Sequence, residues 1–378
     1  MNLTRRIKEN PSSLLPDLPV GAAILVIRLR SIGDVVLTLP AIEALHQWRP
    51  DFRISLLVQP FCAALVEGHP AISHVLLLTD FWPTVKLLRR RKFAAVFNMH
   101  AGPTSALLTG LSGAPLRVCW ARRQYSFVYN VEVPSSFPVD GRVPRHAAEH
   151  RAQQFLWAGM PAGNIPPARI YPQADAIAAV RRILADKGLP PGERYAVLRP
   201  GAGDVSKRWP VENFAAIARW LRERYALTAV VNLGPGDEEI AAEVKERLAP
   251  LSVVVDSLDL RQLIALLAGA NLFVGNDTGP THIAAALQRR CVAIFGTSDS
   301  AAWYPWKTEN RVVENKFPCE RCPKGRCASA RESLCIRTVS VEQVREACEP
   351  LLTQDPEAGL QSGQSMEKRN ADSSLRSE

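Results

Sequence analysis

Residues 195–296 contain, in order, YAVLRPG (195–201), ALTAVVNLGPG (226–236), VVVD (253–256), LFVGND (272–277) and VAIFG (292–296), with helical patterns at about 211–225, 237–249, 259–268 and 280–288 between them. Each segment is a short, nearly continuous apolar run. That is what a strand needs when helices cover both of its faces. Strands alternating with helices form βαβ units, so the stretch reads as a doubly wound, open parallel sheet.

The first half follows the same pattern. AAILVI (22–27), ISLLVQ (54–59), VLLL (75–78) and AAVFNM (94–99) are strand candidates, and a helix is expected at about 38–48. The changeover falls near 165–192, where NIPPARIYPQ and GLPPGE flank a predicted helix with Pro-rich connections. The expected organisation is an N-terminal extension at 1–21, a first Rossmann-like domain at 22–175, a second at 176–353 and a polar, disordered tail at 354–378. Open α/β sheets bind ligands beyond the carboxyl ends of their strands, so the interdomain cleft is the expected site.

Composition narrows the function classes. At 378 residues and 47% hydrophobic the chain can bury two cores. No apolar run reaches the roughly 18 to 20 residues of a membrane span. The basic start, MNLTRRIKENPSSLLPDLP, leads into no signal-peptide core, so a cytoplasmic location is expected. The net charge of +9 favours an anionic partner. It is scattered, with clusters such as Arg89, Arg90, Arg91 and Lys92 and no basic stripe interleaved with aromatics, which argues against nucleic acid. A Rossmann dehydrogenase is disfavoured because no GxGxxG follows an early strand with the expected acidic residue downstream, and the P-loop spacing is absent.

Three strand ends carry the chemistry. In RLRSIGDVVLTLPAIEAL (28–45), Gly33 lets backbone amides approach a ligand and Asp34 sits near a helix start, as a helix cap or as a catalytic carboxylate. In VLRPGAGDVSKRWPVENF (197–214), a Gly-rich turn with Ala202 and Gly203 precedes Lys207. That is either a diphosphate cradle or a surface loop with a solvated basic pair. LFVGNDTGPTHIAAAL (272–287) is the strongest signal: Asp277 can accept from sugar hydroxyls, the Thr278 and Gly279 amides can bind phosphate, and His282 lies one turn into the helix. Asp237, Glu238 and Glu239 follow another strand end and suit ribose hydroxyls or the dipole of the next helix.

From about Ala22 to Val344 these segments resemble glycosyltransferase family 9, the ADP-heptose:lipopolysaccharide heptosyltransferases. The opening signature is carried by Arg28, Ser31, Gly33, Asp34, Leu39 and Pro40, and the donor signature by Asn276, Asp277, Thr278, Gly279, Pro280 and His282. The resemblance implies a GT-B fold, an ADP-heptose donor, a lipopolysaccharide inner-core acceptor, inversion at the anomeric carbon and no required metal. It also implies Asp34 as general base, and Lys207, Thr278 and Gly279 as diphosphate contacts. Glu238 would meet the ribose and Asp277 the heptose, with His282 nearby. Ala202 and Gly203 stand where some members carry hydroxyls, so their backbone amides would serve. Arg122, Arg123, Arg145, Asn98 and His100 are candidates for the acceptor side, and transient contact with the inner membrane face is expected.

Cys319, Cys322, Cys327 and Cys335 crowd CERCPKGRCASARESLC. Four thiols suffice for structural zinc, although the spacing is irregular, and free thiols or a redox pair are the alternative. Competing functional readings are a family 9 transferase with another nucleotide sugar and a non-catalytic nucleotide-sugar-binding protein.

Overall fold

A computed structural model of the chain describes residues 11–353, apart from 122, 123, 136, 140 and 316–332. The strands are β1 (Ala23–Ile27), β2 (Arg53–Val58), β3 (His74–Leu77), β4 (Ala95–Asn98), β5 (Leu116–Trp120), β6 (Val131–Val133), β7 (Tyr195–Arg199), β8 (Thr228–Asn232), β9 (Ser252–Val255), β10 (Leu272–Asn276), β11 (Cys291–Phe295) and β12 (Asn310–Glu314). They form two six-stranded sheets, ordered β3-β2-β1-β4-β5-β6 and β12-β11-β10-β7-β8-β9. All pairings within the sheets are parallel. Counted from its own first strand, each sheet has the order 3-2-1-4-5-6, with its switch point between first and fourth strands. Two such units facing one another are the GT-B arrangement expected from the sequence.

The helices are α1 (Ile32–Val36), α2 (Leu39–Trp48), α3 (Phe81–Arg91), α4 (Pro103–Leu111), α5 (Ala147–Trp157), α6 (Ala174–Asp186), α7 (Val211–Tyr225), α8 (Glu238–Arg247), α9 (Leu260–Ala268), α10 (Gly279–Ala286), α11 (Ser300–Trp303), α12 (Leu334–Arg337) and α13 (Val341–Thr353). The helix expected at 38–48 is α2, and the short α1 precedes it. Three strands escape the sequence reading for physical reasons. β5 carries a buried Arg117, tolerated because its guanidinium donates to Val128 O at 2.7 Å and Ala114 O at 2.8 Å. β6 has only three residues, and β12 is a polar edge strand, NRVVE.

One face of each sheet has its own apolar layer, with Val85, Leu88 and Leu108 under α3 and α4, and Phe214, Ile217 and Val344 under α7 and α13. The other two faces join a single buried cluster that runs from Ile24 and Val26 through Val35 to Ile283 and Trp306, so the domains share apolar packing. α1 packs on α10, and the 3-10 turn Pro60–Leu65 packs on α9. α9 is fixed at its start by a capping box: Asp259 accepts from the Gln262 N–H at 2.8 Å, and Gln262 accepts from the Asp259 N–H at 3.0 Å. Among the described residues no helix is long and apolar enough to cross a membrane.

A polar latch also joins the domains. His146 caps α5, its Nδ1 accepting from the Ala148 N–H at 3.2 Å, which leaves Nε2 to donate to Tyr304 O at 2.9 Å. Its ring stacks on Trp306, with centroids 4.4 Å apart, and Trp306 Nε1 donates to Pro166 O at 2.8 Å. Both imidazole nitrogens are used in the neutral form, and burial pushes the His146 pKa down to about 4 from 6.5. The latch's stability contribution is therefore complete above pH 6.5 and is lost as pH falls toward 4. Between pH 7 and pH 5 this costs about 2 kcal/mol at 1.36 kcal/mol per pKa unit. Urea unfolding at the two pH values is expected to show a loss in the wild type that is smaller by about this amount in His146→Gln.

Candidate active site

The two switch points place four strand ends together. After β1 the chain passes through Arg28 into α1, whose N-cap is Ser31, so Asp34 is the third helical residue and not the cap. Its carboxylate accepts from the Ser31 hydroxyl at 3.1 Å and from Arg151 Nη2 at 2.7 Å, and it is ion-paired with Arg28. Arg28 in turn donates to Met99 O, at the end of β4. Burial pushes the Asp34 carboxyl up, but the charges and hydrogen bonds of Arg28 and Arg151 outweigh it and hold the pKa below the usual range. The side chain keeps 22% of its surface exposed, so a ligand can reach it.

In the second domain one amide ties two loops together. Asn276, ending β10, accepts from the Trp209 N–H at 3.1 Å and donates to Pro200 O at 2.8 Å. This holds the Gly-rich turn after β7 beside the start of α10. Gly201 is required there, because a Cβ would collide with the Asp237 carboxylate. Asp237 is itself buried, ion-paired with Arg199 and bonded to the Gly234 N–H at 2.7 Å. The α10 N-cap is Thr278, so Asp277 is not a cap either. Asp277 is buried and paired with Lys207 Nζ at 2.8 Å, while Lys207 remains 30% exposed.

Contact between the two halves is direct. A Cβ on Gly33 would lie 2.7 Å from His282 Cδ2, and one on Gly279 would lie 2.8 Å from Ile32 Cγ2. The N-termini of α1 and α10 therefore abut through glycines, which brings Asp34, Asp277, Thr278 and His282 into one locus. His282 is buried, its Nε2 is 4.0 Å from Asp277, and burial lowers its pKa against the opposing pull of Asp277 and Asp34.

Other expected residues fall differently. Of the three acids after β8, Asp237 pairs with Arg199 and Glu239 with Arg208. Glu238 is exposed and makes no ion pair among the described residues, accepting from backbone N–H groups that include Gly236 at 3.2 Å. Ala202 is buried, its carbonyl taken by Arg208 at 2.8 Å, and Gly203 is exposed. Asn98 does not line the acceptor side. Its amide donates to Thr109 at 3.1 Å and Tyr129 at 2.8 Å and accepts from the His100 N–H at 3.0 Å, which makes it a core link. His100 does stand at the site, where burial first, then Arg28 and Arg30, push its pKa down to about 4. Arg145 is exposed, and Arg122 and Arg123 lie outside the described residues. So do Cys319, Cys322 and Cys327 of the proposed zinc set, while Cys335 is a half-buried free thiol. The described residues contain no group of three or more His, Cys, Asp or Glu placed to hold a metal.

Sequence reasoning missed Arg151. It arrives on α5, far along the chain from Asp34, and no local pattern signals it. The glycine contact makes a further expectation concrete. Gly33→Ala forces a methyl into a buried ring with no space to yield, and overpacking of this kind costs about 1–3 kcal/mol. Denaturant unfolding is expected to show that loss, whereas Gly203→Ala, with nothing within 4 Å of its Cβ, leaves stability unchanged.

Comparison with known proteins agrees with this arrangement. Residues 82–331 match the model of glycosyltransferase family 9 (heptosyltransferase). The chain is 25% identical over 303 residues to lipopolysaccharide heptosyltransferase 3 of Escherichia coli, covering 76% of this chain and 86% of that one. A solved family 9 glycosyltransferase from Veillonella parvula superposes with a TM-score of 0.74 at 22% identity, covering 88% of this chain and 98% of that one. The E. coli heptosyltransferase WaaC, solved with ADP-2-deoxy-2-fluoro heptose, superposes with a TM-score of 0.61 at 22% identity, covering 87% and 99%. With the family model matched over most of the chain and the paired six-stranded sheets superposing on solved members, the chain belongs to glycosyltransferase family 9, the heptosyltransferases.

Proposed function

We propose that the chain transfers a heptose from ADP-heptose to the inner core of lipopolysaccharide with inversion, Asp34 acting as the base. The observation that carries this is the α1–α10 contact, which sets an ionised carboxylate of one domain beside a cation, a second carboxylate and a helix N-terminus of the other. The E. coli relative solved with an ADP-heptose analogue supports the donor.

In this reading the diphosphate takes Lys207 from Asp277 and lies on the Thr278 and Gly279 amides, where the α10 dipole favours negative charge. The backbone of Ala202 and Gly203 closes over it, and Gly33 allows the donor close to α1. Glu238, left unpaired by its neighbours, accepts from the ribose hydroxyls. Asp277, released from Lys207, accepts from the heptose. The acceptor oxygen attacks the anomeric carbon as its proton passes to Asp34, and the bond to the diphosphate breaks on the opposite face, releasing ADP. Lys207 and the amides stabilise the charge gathering on that leaving group, so the step calls on no metal ion.

Two arginines make the resting Asp34 a weak base. An acidic, phosphorylated acceptor supplies anions that compete for Arg151 and Arg28, and drawing them away returns basicity to Asp34 when the acceptor arrives. Such an acceptor is lipid-linked and is met at the cytoplasmic face of the inner membrane.

The test combines turnover and binding. Purified protein given ADP-heptose and a lipid A core acceptor is expected to release ADP and raise the acceptor mass by one heptose. Asp34→Asn is expected to slow this by about 10²–10⁴-fold, the usual worth of a general base, with ADP-heptose affinity retained. Unchanged turnover removes Asp34 as the base, and turnover only with another nucleotide sugar removes the donor assignment.

A further inference from the structure

We infer that the outer face of α3 in the first domain is a docking surface for an anionic lipid bilayer. α3 carries Lys86, Arg89, Arg90 and Arg91 with no acidic residue over Phe81–Arg91, and Lys92 follows at its C-terminus. None of these five cations forms an ion pair with a carboxylate among the described residues. Elsewhere Arg28, Arg49, Arg142, Arg151, Arg199 and Lys207 pair with acids. The cluster on α3 is thus a local excess of positive charge.

An exposed aromatic side chain lies among these cations. Val85 and Leu88 point into the core, while Trp82, 71% exposed, stands beside Lys86, Arg89 and Arg90 and with them lines a surface hollow of about 450 Å³. α3 packs on α4, and α4 on the 3-10 turn Ser126–Val128. Each neighbour adds one outward apolar residue, Leu107 from α4 and Phe127 from the turn. Cations with long stems interleaved with outward aromatic and aliphatic groups are the pattern of a helix lying at a lipid headgroup boundary, where the charges meet phosphates and the rings enter the acyl edge.

The placement suits the site. α3 leaves the carboxyl end of β3, and β3 is parallel to β1 through β2, so Phe81 and Trp82 lie at the same end of the sheet as Asp34. α3 then runs back along the sheet toward the start of β4, so its N-terminal end with Trp82 is the part that adjoins the site. The docking surface extends the transferase reading but does not share its evidence, since the charge and exposure of α3 stand without it.

The test is flotation of the full chain with vesicles of phosphatidylethanolamine and phosphatidylglycerol, against phosphatidylcholine alone and with no acceptor present. The protein is expected to float with the anionic vesicles only and to dissociate as salt rises. The triple variant Lys86→Gln/Arg89→Gln/Arg90→Gln is expected to lose binding by about a hundred-fold, each cation contributing about a factor of five. Trp82→Ala is expected to lose it a few-fold. Both variants should keep wild-type turnover on a deacylated, soluble acceptor. The proposal is overturned if the wild type fails to float, or if the triple variant floats as well. Loss of RNA binding or of dimerisation in the triple variant without any vesicle binding reassigns the surface. Loss of turnover on the soluble acceptor does the same, placing the cations on the acceptor's sugars. Flotation without any turnover leaves the docking surface standing and removes only the transferase reading.

Discussion

Two glycines set against the opposing domain constitute the constraint on which this molecule depends. Gly33 lies on the His282 ring and Gly279 on Ile32, so α1 and α10 meet at their N-termini with each glycine set against a side chain of the other helix. Both helix ends present unpaired amides and a positive dipole to the same space. That space then holds two carboxylates, each answered by cations: Asp34 by Arg28 and Arg151, and Asp277 by Lys207. In the proposed reaction an anionic donor and acceptor compete for these cations, and sugar hydroxyls then donate to the carboxylate that Lys207 leaves.

Helix α5 links this site to the domain interface. At its N-terminus, His146 caps the helix and bonds Tyr304 of the second domain; one turn on, Arg151 reaches Asp34; further along, Gln154 donates to Asn98 O at 3.2 Å, at the end of β4. Residues before β1 pack on its far end, where Leu15 is buried and its N–H donates to Ala158 O at 2.8 Å. One helix therefore touches both the interdomain contact and the Asp34 carboxylate.

The parallel strands were legible because burial on both faces leaves uninterrupted apolar runs such as AILVI and CVAIF. β5, β6 and β12 were not, since a satisfied buried arginine, a three-residue length and an edge position each erase that pattern. The glycine-flanked acids at the strand ends were also legible, and the structure answers what sequence left open. Ser31 and Thr278 occupy the N-cap positions of α1 and α10, so neither Asp34 nor Asp277 is the cap residue. Asn98 was misplaced because a polar residue ending a strand reads alike whether it faces a cleft or, as here, satisfies Thr109 and Tyr129 inside the core. Arg151 and His146 had no local signal at all, since their partners are brought to them only by the tertiary fold.

The proposed role of Asp34 is tested most directly by the pH dependence of kcat/KM for heptose transfer in wild type and Arg151→Gln. Removing one of the two guanidiniums that hold the Asp34 carboxyl down raises its pKa. The account predicts that the acid limb of the profile moves to higher pH in the variant, with a measurable rate retained above it. An acid limb that stays where it was, with the variant still active, would contradict the assignment of Asp34 as the group that takes the proton.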